Sequence, residues 1–272
     1  MAEYIDRGQI KTEARGILRD AQVSPRLFFA LFLALVVLMD LATSLANNGL
    51  DTDSLLSNPL GLFVLILSQL LALVLGVGCY LYCFGIRRGE RVEYLTLFDG
   101  FSFVGKIILL YMAEYALIML WCMALVIPGI VAAYRYRFAV LDLCENPSLG
   151  VMEAINMSKR QTYGYKGQLF TLDLSFLGWM LLASFPTIYW FLAAFLGAFG
   201  YVLPGADVTE IIQLAVEDAC VLIVGLQYLP TYKTSELGYF EIAKRTSGTG
   251  TGIVPRDSSS PDESGDDSTH WL

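Results

Sequence analysis

From Leu60 to Ile86 the chain runs without a charged side chain. At about 1.5 Å of rise per residue, a helix of that length is longer than the roughly 30 Å hydrocarbon core of a bilayer. A similar stretch spans Leu27 to Ala46, interrupted only by Asp40, and further apolar segments follow at Ile107 to Ile127, Ile130 to Cys144, Leu169 to Leu203 and Ala219 to Phe240. With 56% hydrophobic and 16% charged residues and a mean hydropathy of +0.56, the chain holds more apolar surface than a water-soluble core of its length can bury. The expected fold is all-α: a polytopic transmembrane helical bundle of about six spans, residues 27–46, 60–86, 107–127, 130–144, 169–203 and 219–240, inside a transmembrane domain at 27–245.

Residues 1–26 set Ile5, Ile10, Ala14, Ile17 and Leu18 at helical spacing, with Arg7, Lys11, Arg15 and Arg19 on another side. That pattern predicts an amphipathic cytoplasmic helix lying on the inner membrane surface. Glu3, Asp6, Glu13 and Asp20, with the long apolar run behind them, argue against a signal peptide. Pro128-Gly129 is expected to end the third span and turn the chain. Leu149 to Arg160 should form an amphipathic cytoplasmic helix with Ser148 as N-cap, and Pro186 should kink the long segment 169–203. Residues 246–272 are rich in Ser, Gly, Thr, Asp and Pro, bury too little apolar surface to offset their ordering entropy, and read as a disordered acidic cytoplasmic tail.

Orientation follows from the bases. Of the 18 Lys and Arg, all but Arg135 and Arg137 fall on one face of this arrangement, while Asp51, Asp53, Asp207, Glu210, Glu217 and Asp218 occupy the opposite loops. The positive-inside rule then puts both termini in the cytoplasm of a multi-pass plasma membrane protein. The net charge of -8 comes from those loops and the tail, so it says little about the core.

Of the ionisable residues inside the apolar segments, Asp40, Glu114, Arg135 and Arg137 are the ones to explain. Each costs roughly 2.5 to 3.5 kcal/mol to insert unless it meets a partner or water. Helical rise counted from an outer turn at Pro128-Gly129 puts Arg135 at the depth of Asp40 and Arg137 near Glu114, which predicts a charge cluster joining spans one, three and four. Three readings fit it: a structural ion pair, a polar conduit, or a fourth helix that lies differently so that its arginines snorkel to the interface. Gly76, Gly78, Gly197 and Gly200 are expected to allow close helix packing.

Catalysis has little to stand on. The only histidine is His270, in the tail, and Cys79, Cys83, Cys122, Cys144 and Cys220 lie in or beside apolar runs. A Ser/His or Cys/His nucleophile and a zinc site are therefore not expected, and there is no phosphate-binding or dinucleotide-binding glycine motif. No cofactor and no nucleic-acid partner are expected. The chain is expected to be non-enzymatic, to meet membrane lipids and protein partners of the bacterial envelope, or alternatively to serve as a transporter or permease-like subunit with a polar intramembrane site.

A series of motifs adds to this reading. Leu97-Phe98-Asp99-Gly100-Phe101, Ile127-Pro128-Gly129-Ile130, Tyr134-Arg135-Tyr136, Asn146-Pro147, Glu153-Ala154-Ile155 with Ser158, and Leu172-Asp173-Leu174-Ser175-Phe176-Leu177-Gly178-Trp179 occur in that order. Together they resemble an uncharacterised bacterial membrane family catalogued as domain of unknown function 975, over about residues 5 to 245. The resemblance implies a multi-spanning plasma membrane protein without an assigned activity. The chain departs from the family where Pro230, Thr231 and Tyr232 replace a Pro-Tyr pair, in the length of 186–219 and in its acidic tail. Glu153-Ala154 also faintly resembles the coupling helix of ABC importer permeases, without that motif's second Ala and following Gly.

Overall fold

Local rules start the helices. Asp6 accepts a hydrogen bond from the Gly8 N–H at 2.8 Å and caps α1, Arg7–Asp20. Pro25 and Pro59 open α2, Pro25–Asn48, and α3, Pro59–Arg87, where a missing N–H costs nothing. A 3-10 helix, Tyr94–Phe103, leads into α4, Val104–Ala124. Then come α5, Val126–Tyr136; α6, Ala139–Glu145; α7, Val151–Gln161; α8, Lys166–Ala183; α9, Phe185–Gly197; and α10, Glu210–Ser247. The computed structural model describes residues 3–48, 59–205 and 210–248, and among them every regular element is helical. The acidic tail, with His270, and the loop residues Asp51, Asp53 and Asp207 lie outside the described residues.

Four of these helices are long and apolar enough to cross a bilayer: Pro25–Ala46, Pro59–Arg87, Tyr94–Met123 and Ile212–Ser247. The pair α8 and α9 passes the same test together, bent by 63°. Pro186 stands in the first turn of α9, and the break falls just before it at Ser184, because a proline starts a helix more easily than it continues one.

The helices leave from and return to one end of the molecule. Arg87, closing α3, pairs with Glu13 of α1 at 2.9 Å and with Glu241 of α10 at 2.7 Å. Glu145, closing α6, takes Arg88 and Lys244, and Lys106 at the start of α4 donates to the Pro147 carbonyl at 2.5 Å. Tyr165, just before α8, shares a hydrogen bond with Thr246 at 2.8 Å and accepts one from the Glu3 N–H. The Tyr82 hydroxyl near the end of α3 reaches the Val23 carbonyl ahead of α2. Three out-and-back excursions result: α2 with α3, α4 with α5 and α6, and α8 and α9 with α10.

Several local expectations change. The turn after α4 falls at Leu125, in extended backbone (φ -164°), and Pro128 sits inside the first turn of α5, where its lack of an N–H is harmless. The helix expected to run unbroken over 130–144 is interrupted at Arg137 and Phe138. Gly150, not Ser148, precedes α7, with the Glu153 carboxylate accepting from its N–H. Glu210, Glu217 and Asp218 belong to α10 rather than to a loop. The apolar side of α1 packs on protein: Ile10 and Ala14 are buried, with Ile10 against α10 at Gly238. Lys11 lies 4.1 Å from the Phe176 ring, and burial, helped by Arg15 and Arg7, lowers its pKa.

Candidate functional site

The break between α5 and α6 is the starting point. Two residues out of helical register leave backbone groups without helical partners, which apolar surroundings do not tolerate. Here α7 supplies the missing partners. Ser158 Oγ accepts from the Phe138 N–H at 3.1 Å and donates to the Arg135 carbonyl at 3.0 Å, with Thr162 Oγ1 3.2 Å from the same oxygen. To do this α7 is sunk into the protein rather than laid on a surface, so Ala154, Ile155, Ser158, Gln161 and Thr162 are fully buried.

At the break, Arg137 turns toward α8 and α10. Its Nη1 and Nη2 grip the Asp173 carboxylate of α8 at 2.7 and 3.0 Å, a bidentate fork, and its Nε donates to Glu236 of α10 at 2.5 Å. Three tyrosine hydroxyls complete the network. Tyr134 and Tyr232 donate to Asp173 at 2.7 and 2.9 Å, and Tyr80 of α3 donates to Glu236 at 2.8 Å. The Lys233 ammonium lies 3.7 Å from the Tyr80 ring centre, and its charge acts on Glu236. Two cations thus face two carboxylates, with side-chain exposures of 14% for Arg137, 23% for Asp173 and 3% for Glu236.

The expected cluster is therefore redrawn. Arg137 pairs with Asp173 and Glu236, not with Glu114. Counting helical rise along the chain does not fix which way a side chain faces, nor did it place Arg135 and Asp40 together. Glu114 shares the inward stripe of α4 with Ile107, Leu110 and Tyr111, and its Oε1 is buried with no hydrogen-bond partner among the described residues. Asp40 does not meet Arg135. It lies across from α10, where it faces the like charges of Glu217 and Asp218. Arg135 is at the other end, because α5 is only 11 residues long and already touches α7 there; its charge bears on Lys166.

Two open clefts lie away from the network. One, of about 390 Å³, is lined by Arg88, Arg91, Asp99 and Ser102 where the 3-10 helix meets α3 and α6. The other, of about 330 Å³, lies between α9 and α10 at Trp190 and Gln213. No group of His, Cys, Asp or Glu among the described residues is arranged to hold a metal ion.

No curated protein and no solved structure matches the chain. Residues 112–212, which carry Glu114, Arg137, α7 and Asp173, match the model of the family described as Protein of unknown function (DUF975), the same family that the motifs of the sequence resemble.

Proposed function

We propose that the chain is a six-span integral protein of a bacterial plasma membrane, with both ends in the cytoplasm, that works without catalysis through contacts with envelope proteins and lipids. The observation that carries this reading is the closed state of the Arg137 network. Arg137 pairs with two carboxylates that also accept from three tyrosine hydroxyls, and the Lys233 charge acts on Glu236, an arrangement that supports a scaffold fixing helix order. The contacts of α1 with the ends of α3 and α10 support an even number of crossings. The bases gathered there support a cytoplasmic assignment for that end.

A second reading is favoured by one residue. Glu114 presents an unpartnered carboxyl oxygen on the packed side of α4, and intramembrane carboxyls often mark ion or substrate pathways. An energised uptake assay in vesicles separates the two readings once a solute is found, since Glu114→Gln abolishes transport and leaves scaffolding intact.

The topology is tested with single cysteines in intact cells, at Asp51 and Asp207 for the outside and at Tyr163, which is 82% exposed, for the inside. Labelling at the first two alone is expected. Labelling of Tyr163 by an impermeant reagent overturns the six-span reading.

A further inference from the structure

At the end of the molecule where the helices meet, four neighbouring cations of α5, α7 and α8 are among those that stand without an acid among the described residues. Arg135, Lys159, Arg160 and Lys166 form no ion pair among the described residues. Three belong to one neighbourhood: Ser158 and Thr162 bond the Arg135 carbonyl, Lys159 lies 5.7 Å from the Tyr136 ring centre, and Arg135 and Lys166 repel; Arg160 follows Lys159 in the last turn of α7. Lys159 and Arg160 complement the C-terminal dipole of α7, yet that half-charge does not balance four full ones. At the same end Arg87, Arg88, Lys244 and Arg245 each meet a carboxylate.

The complement is present in the same chain. Residues 249–272 hold Asp257, Asp262, Glu263, Asp266 and Asp267 against the single base Arg256. The helix that leads to them, α10, ends beside the patch, since Thr246 hydrogen-bonds Tyr165, the neighbour of Lys166. From Gly248 to Asp257 the chain spans up to roughly 30 Å when extended at about 3.3 Å per residue. We propose that the acidic segment Asp257–Asp267 docks on the Arg135, Lys159, Arg160 and Lys166 patch of its own chain.

The inference is independent of which side of a membrane this end faces, because patch and segment share the end through the Tyr165–Thr246 contact. It also gives Ser258, Ser259, Ser260 and Ser264 a role: a phosphate on any of them adds negative charge to the docking segment and tightens it.

The test uses the unmodified full chain in nanodiscs of phosphatidylcholine, which carries no net charge. A water-soluble carbodiimide joins a lysine amine to a carboxylate as an amide, with water taken up by the carbodiimide, and only where the two already touch. Expected are links from Lys159 or Lys166 to Asp257, Asp262, Glu263, Asp266 or Asp267, within one chain. They should fall at least about fivefold at 0.5 M salt, where exposed charges are screened. Mixing isotope-labelled with unlabelled protein identifies links between copies. Links found only between copies overturn the proposal in favour of docking in trans. Absence of tail links, with lysine labelling of the patch blocked by added phosphatidylglycerol, overturns it in favour of an anionic lipid surface. Links that survive high salt undiminished also overturn it, because charge would not be their cause.

Discussion

Arg137→Met removes the guanidinium that, among the described residues, touches both Asp173 and Glu236. Breaking a buried pair by deleting one partner costs about 3–5 kcal/mol, since it strands a charge. In this network the stranded acids keep some company: Tyr134 and Tyr232 still donate to Asp173, while Tyr80 and Lys233 still serve Glu236. The loss should therefore fall at the low end, about 3 kcal/mol. For a chain of this size that corresponds to a fall in melting temperature of roughly 6–12 °C, at about 2–4 °C per kcal/mol. Arg137→Lys keeps the charge but loses the fork, and should cost about 1.5–3 kcal/mol through hydrogen bonds to charged groups. Arg137→Met combined with Glu236→Gln restores the balance of charge and should recover part of the loss. Thermal unfolding of the purified protein in mild detergent reads all three. If Arg137→Met melts within about 2 °C of the parent, or if adding Glu236→Gln brings no recovery, the network does not hold the helices together and the scaffold argument fails.

Two further substitutions probe packing and the helix break by the same assay. A Cβ at Gly78 would stand 2.0 Å from the Leu97 carbonyl oxygen, whereas one at Gly76 meets nothing within 4 Å; Gly78→Ala should cost about 1–3 kcal/mol by overpacking and Gly76→Ala should be tolerated. Ser158→Ala leaves the Phe138 N–H unsatisfied and weakens the hold on the Arg135 carbonyl, for a loss of about 1–3 kcal/mol. Equal melting temperatures for the two glycine variants, or an unchanged one for Ser158→Ala, would refute those contacts.

How much of this was legible in sequence depends on the kind of question. The apolar runs announced helices of membrane-crossing length at 27–46 and 60–86 because length and hydropathy are local properties. Partner choice was not local. Arg137 was singled out by its burial cost, but its partners lie 36 and 99 residues further on. Glu236 was missed because Lys233-Thr234-Ser235-Glu236 looks like the polar end of an apolar helix. In fact α10 continues to Ser247, about three turns beyond. The break at Arg137 was illegible because every residue around it accepts a helix; the group that satisfies it, Ser158, is 20 residues away on another element. Of the small-residue positions, Gly78 does admit a close neighbour, while Gly200 serves a left-handed turn (φ +84°).

Polar contacts are spread unevenly along the helices, and this bears on what the protein can do. Every ion pair among the described residues lies in the Arg137 network or at the end where the helices converge. Toward the other end the acids Asp40, Glu217 and Asp218 face one another. The tip of the α4–α5 hairpin there presents Met123, Leu125, Val126 and Ile127, all well exposed. Directional contacts specify which helices are neighbours, whereas apolar side chains in lipid gain little from choosing one neighbour over another. Arg87 alone ties α1, α3 and α10, and Arg137 ties the α5–α6 break to α8 and α10. A change at either residue is therefore felt by more than one hairpin at once, while a change at the α4–α5 tip meets only its own.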